Sequence, residues 1–86
     1  MAFFKVEWRN AAKKEFRKLD RQRIVRIFKA VGELAHDPHP PGSKKMQGAE
    51  QTYRIRIGNY RVVYEVDMGA KLVTIFRVRH RKDVYR

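Results

Sequence analysis

The fold is decided by residues 52–67, which read TYRIRIGNYRVVYEVD. Apolar and polar side chains alternate along residues 52–57 and again along residues 60–67, which is the period-2 pattern of half-buried strands. Gly58 and Asn59 stand between the two segments and fit a two-residue hairpin turn. The stretch therefore predicts an antiparallel β-hairpin with one apolar face and one basic face.

Outward from this hairpin, the sequence predicts two more strands. Residues 71–79 follow a turn at residues 68–70 and predict the third strand of a meander. Residues 3–8 mix aromatic residues with a partial alternation and predict a short first strand that stops at Asn10, a good helix N-cap. Residues 36–51 contain all three prolines of the chain and predict an exposed loop.

Two segments between the first strand and the loop have apolar side chains at helical spacing. Residues 12–19 predict a short amphipathic helix, and residues 24–35 predict a longer one between a capping Asp20 and Pro38. Helices grouped before a meander predict an α+β fold of order β-α-α-β-β-β, in which a helical hairpin packs on one face of an antiparallel sheet. The aromatic residues predicted to pack in the core are Trp8, Phe16, Phe28 and Tyr64.

The composition is that of one small basic domain, predicted to span residues 1–86. The chain has 21 Lys and Arg against 9 Asp and Glu, a formal net charge of +12, and 43% hydrophobic residues. Such a charge predicts a polyanionic partner, with nucleic acid favoured over a membrane surface. The absence of cysteine excludes disulfides, thiolate metal sites and Cys nucleophiles. No apolar run could span a bilayer, so we expect a cytoplasmic protein without a membrane partner.

Successive strand residues point to opposite faces of a sheet, so the pattern assigns the arginines of the strands to the helix-free face. In the last strand the same rule assigns Leu72, Phe76 and Val78 to the apolar face. A merely solvated sheet face is the alternative, but such a face usually mixes Lys, Glu and Thr, whereas the guanidinium fork binds phosphate with two donors. The arginines predicted to share the helix-free face are Arg54, Arg56, Arg61, Arg77, Arg79 and Arg81.

Three stretches together resemble a known family. They are AKKEFRKL at residues 12–19, YRIRIGNYRVVY at residues 53–64 and VRHRKDVY at residues 78–85. They are similar to the RelE-type toxins of bacterial and archaeal toxin–antitoxin systems, within the RelE/ParE superfamily. RelE-type toxins are ribosome-dependent endoribonucleases that cut mRNA in the ribosomal A site without a metal or other cofactor, by attack of the ribose 2′-hydroxyl on the adjacent phosphate.

The resemblance implies the same activity here, and with it the partners and residue roles. The implied partners are a cognate acidic antitoxin, the ribosome and mRNA, and the toxin would be a monomer alone and a hetero-oligomer with its antitoxin. By position, Arg61 would stabilise phosphate charge, Arg81 would lie at the leaving group, and Tyr85 would stack on or orient the substrate. Lys44 and Lys45 are candidate contacts to ribosomal RNA, or solvated loop residues.

The general base is the open point in this assignment. The best-known family members have two lysines where this sequence has Arg54 and Arg56, and a guanidinium stays charged at any working pH, so neither arginine can act as a base. His80 is the candidate base because imidazole titrates near neutrality. Strand parity places it on the face opposite Arg81 unless the strand ends or bulges there.

Two other functions are compatible with the sequence. One is a ParE-like toxin, which poisons DNA gyrase by binding and lacks the Arg and Tyr constellation. The other is a non-enzymatic basic protein that binds ribosomal RNA. The combination of Arg61, Arg81 and Tyr85 favours the nuclease over both.

Overall fold

The structure is a computed structural model that describes residues 3–48 and 50–80. It confirms the predicted α+β class, with two helices and a sheet. No helix among the described residues is both long and apolar enough to cross a bilayer. The elements in chain order are β1 (Lys5–Trp8), α1 (Asn10–Arg17), α2 (Arg21–Glu33), β2 (Lys44–Lys45), β3 (Thr52–Ile57), β4 (Tyr60–Asp67) and β5 (Leu72–His80).

The strands form one sheet in the order β1-β5-β4-β3-β2. The pairs β2–β3, β3–β4 and β4–β5 are antiparallel, whereas β1 runs parallel to β5. The sheet is therefore mixed and not wholly antiparallel as predicted. A parallel pair needs a long crossover connection, and here all the intervening elements separate β1 from β5 along the chain. Alternation in a sequence indicates a strand but does not show which sheet edge the strand joins.

The hairpin at the centre of the sheet forms as predicted. Ile57 lies opposite Tyr60, and the pairing continues along β3 and β4 to Thr52 opposite Glu65. Gly58 has a φ of 60°, in the left-handed region that glycine adopts at no steric cost. The turn therefore needs the glycine that the sequence provides.

The two helix starts differ in how they are capped. Asp20 caps α2 as predicted, because its carboxylate accepts a hydrogen bond from the backbone N of Arg23 at 3.0 Å, which lowers the pKa of Asp20 below its ordinary value. Asn10 is instead the first residue of α1, preceded by Arg9, and no side chain caps this helix. The backbone N of Arg9 still donates to the Ile75 carbonyl at 2.9 Å, so the chain passes directly from strand to helix.

The core lies between the helices and one face of the sheet. Trp8 and Phe16 pack at its margin, with ring centroids 4.9 Å apart, but Phe28 is 65% exposed and the prediction that it packs in the core is wrong. Phe28 directly follows the buried Ile27, and successive helix residues diverge by about 100°. The buried core consists of Phe4, Ala12, Ile27, Val31, Leu34, Ile55, Val62, Tyr64, Val66, Val73, Ile75 and Val78.

One β-bulge interrupts the alternation of β5. Val63 of β4 lies opposite Arg77, whereas the next residue, Tyr64, lies opposite Ile75. Phe76 is therefore an extra residue on β5, and a bulge of this kind changes which side chains face each side of the sheet.

The bulge corrects the predicted core face of β5. Ile75 before it and Val78 after it are both buried, although they are three residues apart. Leu72 and Phe76, which strict alternation assigned to the core with Val78, are only partly buried and lie outside the core cluster. The guanidinium carbon of Arg9 lies 4.8 Å from the centroid of the Phe76 ring, so a cation covers this displaced aromatic side chain.

Candidate functional site

The sheet face opposite the helices carries a line of three arginines. Arg56 on β3 lies directly opposite Arg61 on β4, and Arg61 lies directly opposite Arg79 on β5. Directly opposed residues of antiparallel strands have Cβ atoms about 5 Å apart, and like charges at such positions are destabilising. Arg61, in the middle of the line, is only 3% exposed. We call the surface formed by Arg54, Arg56, Arg61, Arg77 and Arg79 the arginine face.

A second line of residues runs beside the first. Arg54 lies opposite Val63, and Val63 lies opposite Arg77, so these two arginines flank an apolar residue. Lys44 extends the line because β2 pairs it with Arg54, whereas Lys45 is the next residue of β2 and points to the other face. Both lysines were predicted in a loop, and a strand of two residues is too short for any alternation to reveal it.

A cleft of about 260 Å³ opens in the arginine face. The cleft lies between β2 and the central strands. The buried Arg61 therefore lines the same space as more exposed cations such as Lys44 and Arg56. Several guanidinium groups around one cleft suit a phosphodiester, whose oxygens each accept hydrogen bonds. The lining residues are Gly42, Lys44, Arg54, Ile55, Arg56 and Arg61.

An acidic residue of α1 reaches the arginine face from the edge of the sheet. The Glu15 carboxylate accepts hydrogen bonds from Nε and Nη2 of Arg77 at 3.3 and 3.1 Å, and from Nε of Arg79 at 3.1 Å. Its other oxygen accepts from the backbone N of Val78 at 2.8 Å. No motif in the sequence marks Glu15 as a site residue. The available signal was its spacing from the buried Ala12, since residues three apart share one helix face.

The candidate base lies on the other side of the sheet. His80 is paired with Tyr60, one position beyond the Arg61–Arg79 pair, and their rings meet edge to face with centroids 5.2 Å apart. The guanidinium carbon of Arg23 on α2 lies 5.6 Å from the same Tyr60 ring. The bulge precedes this pair and does not bring the imidazole round to the arginine face, so the geometry weighs against His80 as a base for a substrate bound there.

The remaining predicted site residues, Arg81 and Tyr85, lie outside the described residues. Their roles at the leaving group and against the substrate stay predictions. Within residues 3–48 and 50–80, no group of three or more His, Cys, Asp or Glu side chains is placed to hold a metal ion.

Comparison with known proteins identifies the family. A family model described as the ParE toxin of the type II toxin–antitoxin system parDE matches residues 6–85. The chain belongs to this RelE/ParE toxin family. Toxin RelG of Mycobacterium tuberculosis is 30% identical over 84 residues, covering 96% of this chain and 97% of RelG. The resemblance seen in the sequence is confirmed.

Solved structures of RelE toxins share the fold of this toxin. The toxin superposes with a TM-score of 0.83 and 25% identity on a chain of the archaeal RelE–RelB complex from Pyrococcus horikoshii, covering 92% of this chain and 96% of that one. It superposes on the isolated E. coli RelE toxin with a TM-score of 0.79 and 28% identity, covering 98% and 92% of the two chains. Both matches extend over nearly the whole toxin.

Proposed function

We propose that this toxin is a ribosome-dependent mRNA endoribonuclease that acts in the cytoplasm and inhibits translation. The observation that carries the proposal is the line of Arg56, Arg61 and Arg79 across three strands. Three positive charges lie side by side in this line, and a polyanion bound across the line is attracted by all three. RNA phosphates match both the charge and the paired donors of arginine.

The proposed chemistry is transfer of a phosphoryl group within the RNA chain. The ribose 2′-oxygen forms a bond to the adjacent phosphorus while the bond from phosphorus to the 5′-oxygen breaks, giving a 2′,3′-cyclic phosphate and a 5′-hydroxyl. The 2′-hydroxyl loses a proton and the departing 5′-oxygen gains one. Negative charge accumulates on the phosphorane oxygens, where Arg61 supplies a preorganised positive charge that water screens little because the side chain is buried.

The other residues of the site take supporting roles in this proposal. Arg56 and Arg79 lie on either side of Arg61 and bind phosphate oxygens. Arg81 stabilises the leaving oxygen and Tyr85 stacks on or orients a base, as the family resemblance implies. Since arginine cannot accept a proton and the candidate imidazole lies on the other face, electrostatic stabilisation and positioning by the ribosome drive cleavage without a dedicated base of the toxin.

The proposal includes an antitoxin partner. RelE proteins similar to this toxin have been solved in complexes with RelB antitoxins, from P. horikoshii and from E. coli. A net charge of +12 favours an acidic antitoxin for this toxin. We expect the toxin to be a monomer alone and to form a hetero-oligomer with that partner.

A second candidate function is gyrase poisoning, because the matching family model carries the description of a ParE toxin. A toxin of that kind would hold cut DNA on gyrase and would not cleave RNA. The arginine face fits either nucleic acid by charge alone, so products distinguish the two functions.

The test uses ribosomes stalled with a defined codon in the A site. We expect the purified toxin to cut mRNA there, leaving a 2′,3′-cyclic phosphate, and to leave a matched mRNA with one 2′-deoxynucleotide at the cleavage position intact. Cleavage of the deoxy substrate would contradict the proposed chemistry. Accumulation of cut DNA with gyrase, without RNA cleavage, would favour the second candidate. Ribosome binding with neither product would indicate a non-enzymatic RNA-binding protein.

A further inference from the structure

The free edge of β5 is occupied by a side chain from a helix. β1 pairs with β5 only as far as Ile75, where Trp8 is its partner. Beyond that point Val78 would present its backbone N–H at an open edge, but Glu15 accepts this hydrogen bond at 2.8 Å. Glu15 thus takes the place of a strand residue at the edge of β5 beyond the end of β1. This hydrogen bond fixes the position of the Glu15 carboxylate relative to β5.

The second oxygen of the same carboxylate joins two members of the arginine face. It lies 3.1 Å from Nε of Arg79 and 3.1 Å from Nη2 of Arg77. Glu15 is 24% exposed in its side chain, whereas both arginines are about 40% exposed. A charge-assisted hydrogen bond to Nε fixes the plane of a guanidinium and leaves its two terminal NH₂ groups as donors for another acceptor.

Positioning, not proton transfer, is the role this geometry permits. The two Glu15 oxygens accept four hydrogen bonds, one from the backbone and three from guanidinium groups. One oxygen accepts three of these four bonds, so few acceptor sites of the carboxylate remain for a ribose hydroxyl. Its negative charge also offsets repulsion between Arg79 and its neighbour Arg61.

We propose that Glu15 is a positioning residue that holds Arg77 and Arg79 in the orientation needed to bind the scissile phosphate beside Arg61. This inference rests on the proposed nuclease function. It predicts that loss of the Glu15 charge lowers the rate of the bound complex and not its affinity, because an unpaired Arg79 still attracts phosphate but no longer lies in one orientation.

The experiment compares Glu15→Gln with Glu33→Gln, which removes an exposed carboxylate from the end of α2. Glutamine keeps an acceptor oxygen for the Val78 N–H but places an NH₂ group toward Arg77 and Arg79, which removes both the negative charge and the acceptor of their hydrogen bonds. At saturating ribosomes we expect the Glu15 variant to cut roughly 10- to 100-fold more slowly, with ribosome affinity equal or tighter and an unchanged pH profile. In an Arg77→Ala/Arg79→Ala background the same substitution should have little further effect. The Glu33 variant should match the wild type.

An NMR measurement makes the test independent of cleavage. In the free wild-type toxin, the Nε–H signals of Arg77 and Arg79 should exchange slowly with solvent, and both should lose this protection in Glu15→Gln. Retained protection, an unchanged cleavage rate, or the loss of one limb of the pH profile would each overturn the positioning role. If the wild-type toxin cuts no mRNA, the proposed function fails, and retention or loss of the NMR protection decides whether Glu15 orients the arginines.

Discussion

The two faces of the central strands use alternate residues of the same chain segments and have opposite energetic character. On the helix-covered face Val62 lies opposite Val78, and both are almost fully buried. One position away on the other face, Arg61 lies opposite Arg79, so two like charges are neighbours. Burial of apolar surface stabilises the fold, whereas opposed arginines weaken it. The comparison indicates that the first face holds the sheet together, whereas the charge of the second suits the phosphate-binding role that we propose for it.

The largest effect on the free energy of unfolding should come from a substitution on the core face, next to the bulge. Ile75→Ala removes fully buried atoms and should lower the free energy of unfolding by about 2 to 5 kcal/mol. Phe76→Ala, at the next position, removes a larger side chain that lies outside the core cluster and should cost about 1 kcal/mol. Urea unfolding of both variants measures the difference. Equal losses, or a larger loss at Phe76, would show that the bulge does not place these residues as described.

The next-largest effect should come from a substitution on the arginine face and should be seen in the cleavage rate. Arg61→Ala should slow single-turnover cleavage on saturating ribosomes by roughly 10²- to 10³-fold, the usual loss when one preorganised donor to a developing charge is removed. Its free energy of unfolding should fall less than that of Ile75→Ala, because the substitution also removes a cation between two others. Arg21→Ala, on the exposed surface of α2, is the matched control and should cleave normally. A variant at Arg61 that unfolds as readily as the Ile75 variant would remove the distinction between the two faces.

The hairpin could be read from the sequence because its signals are local. Alternation over residues 52–67 and a glycine at the turn fix both strands, their pairing and the facing of Arg54, Arg56 and Arg61. The parallel docking of β1 against β5 could not be read in this way. It depends on which edge of the sheet the other strands leave unpaired in the folded domain, and no short stretch of sequence determines that.

The bulge and the contacts of Glu15 could not be predicted for the same reason, because no local pattern in the sequence specifies them. Even-numbered and odd-numbered positions of residues 72–78 both contain apolar residues. The alternation therefore does not reveal that the bulge at Phe76 changes which of them face the core. Glu15 contacts partners more than 60 residues away in the chain, in an otherwise basic helix. A charge count does not distinguish it from a solvated carboxylate, and its spacing from Ala12 indicates only which side of the helix it occupies.

The smallest predicted effect concerns the buried hydroxyl of Tyr64, a residue that the sequence predicts to pack in the core. Tyr64 is fully buried and its hydroxyl donates to the Pro38 carbonyl at 2.8 Å. Burial raises the pKa of Tyr64 to about 12, from an ordinary value of 10.0. Between these values the unfolded chain releases the phenolic proton and the folded chain keeps it, so the folded state should lose stability as the pH rises.

The expected loss is about 1 kcal/mol between pH 10 and pH 11, since one pKa unit corresponds to about 1.4 kcal/mol. Other tyrosines and lysines titrate in the same range, so the quantity to measure is the difference between wild type and Tyr64→Phe in urea unfolding at each pH. Phe keeps the ring in the core but has no proton to release, and it also leaves the Pro38 carbonyl without this donor. Tyr64→Phe should therefore be less stable than the wild type at neutral pH, and the gap should narrow as the pH rises above 10. A gap that stays constant up to pH 11 would mean that the Tyr64 hydroxyl ionises as easily in the folded core as in the unfolded chain, and the core face would then be open to water at this position.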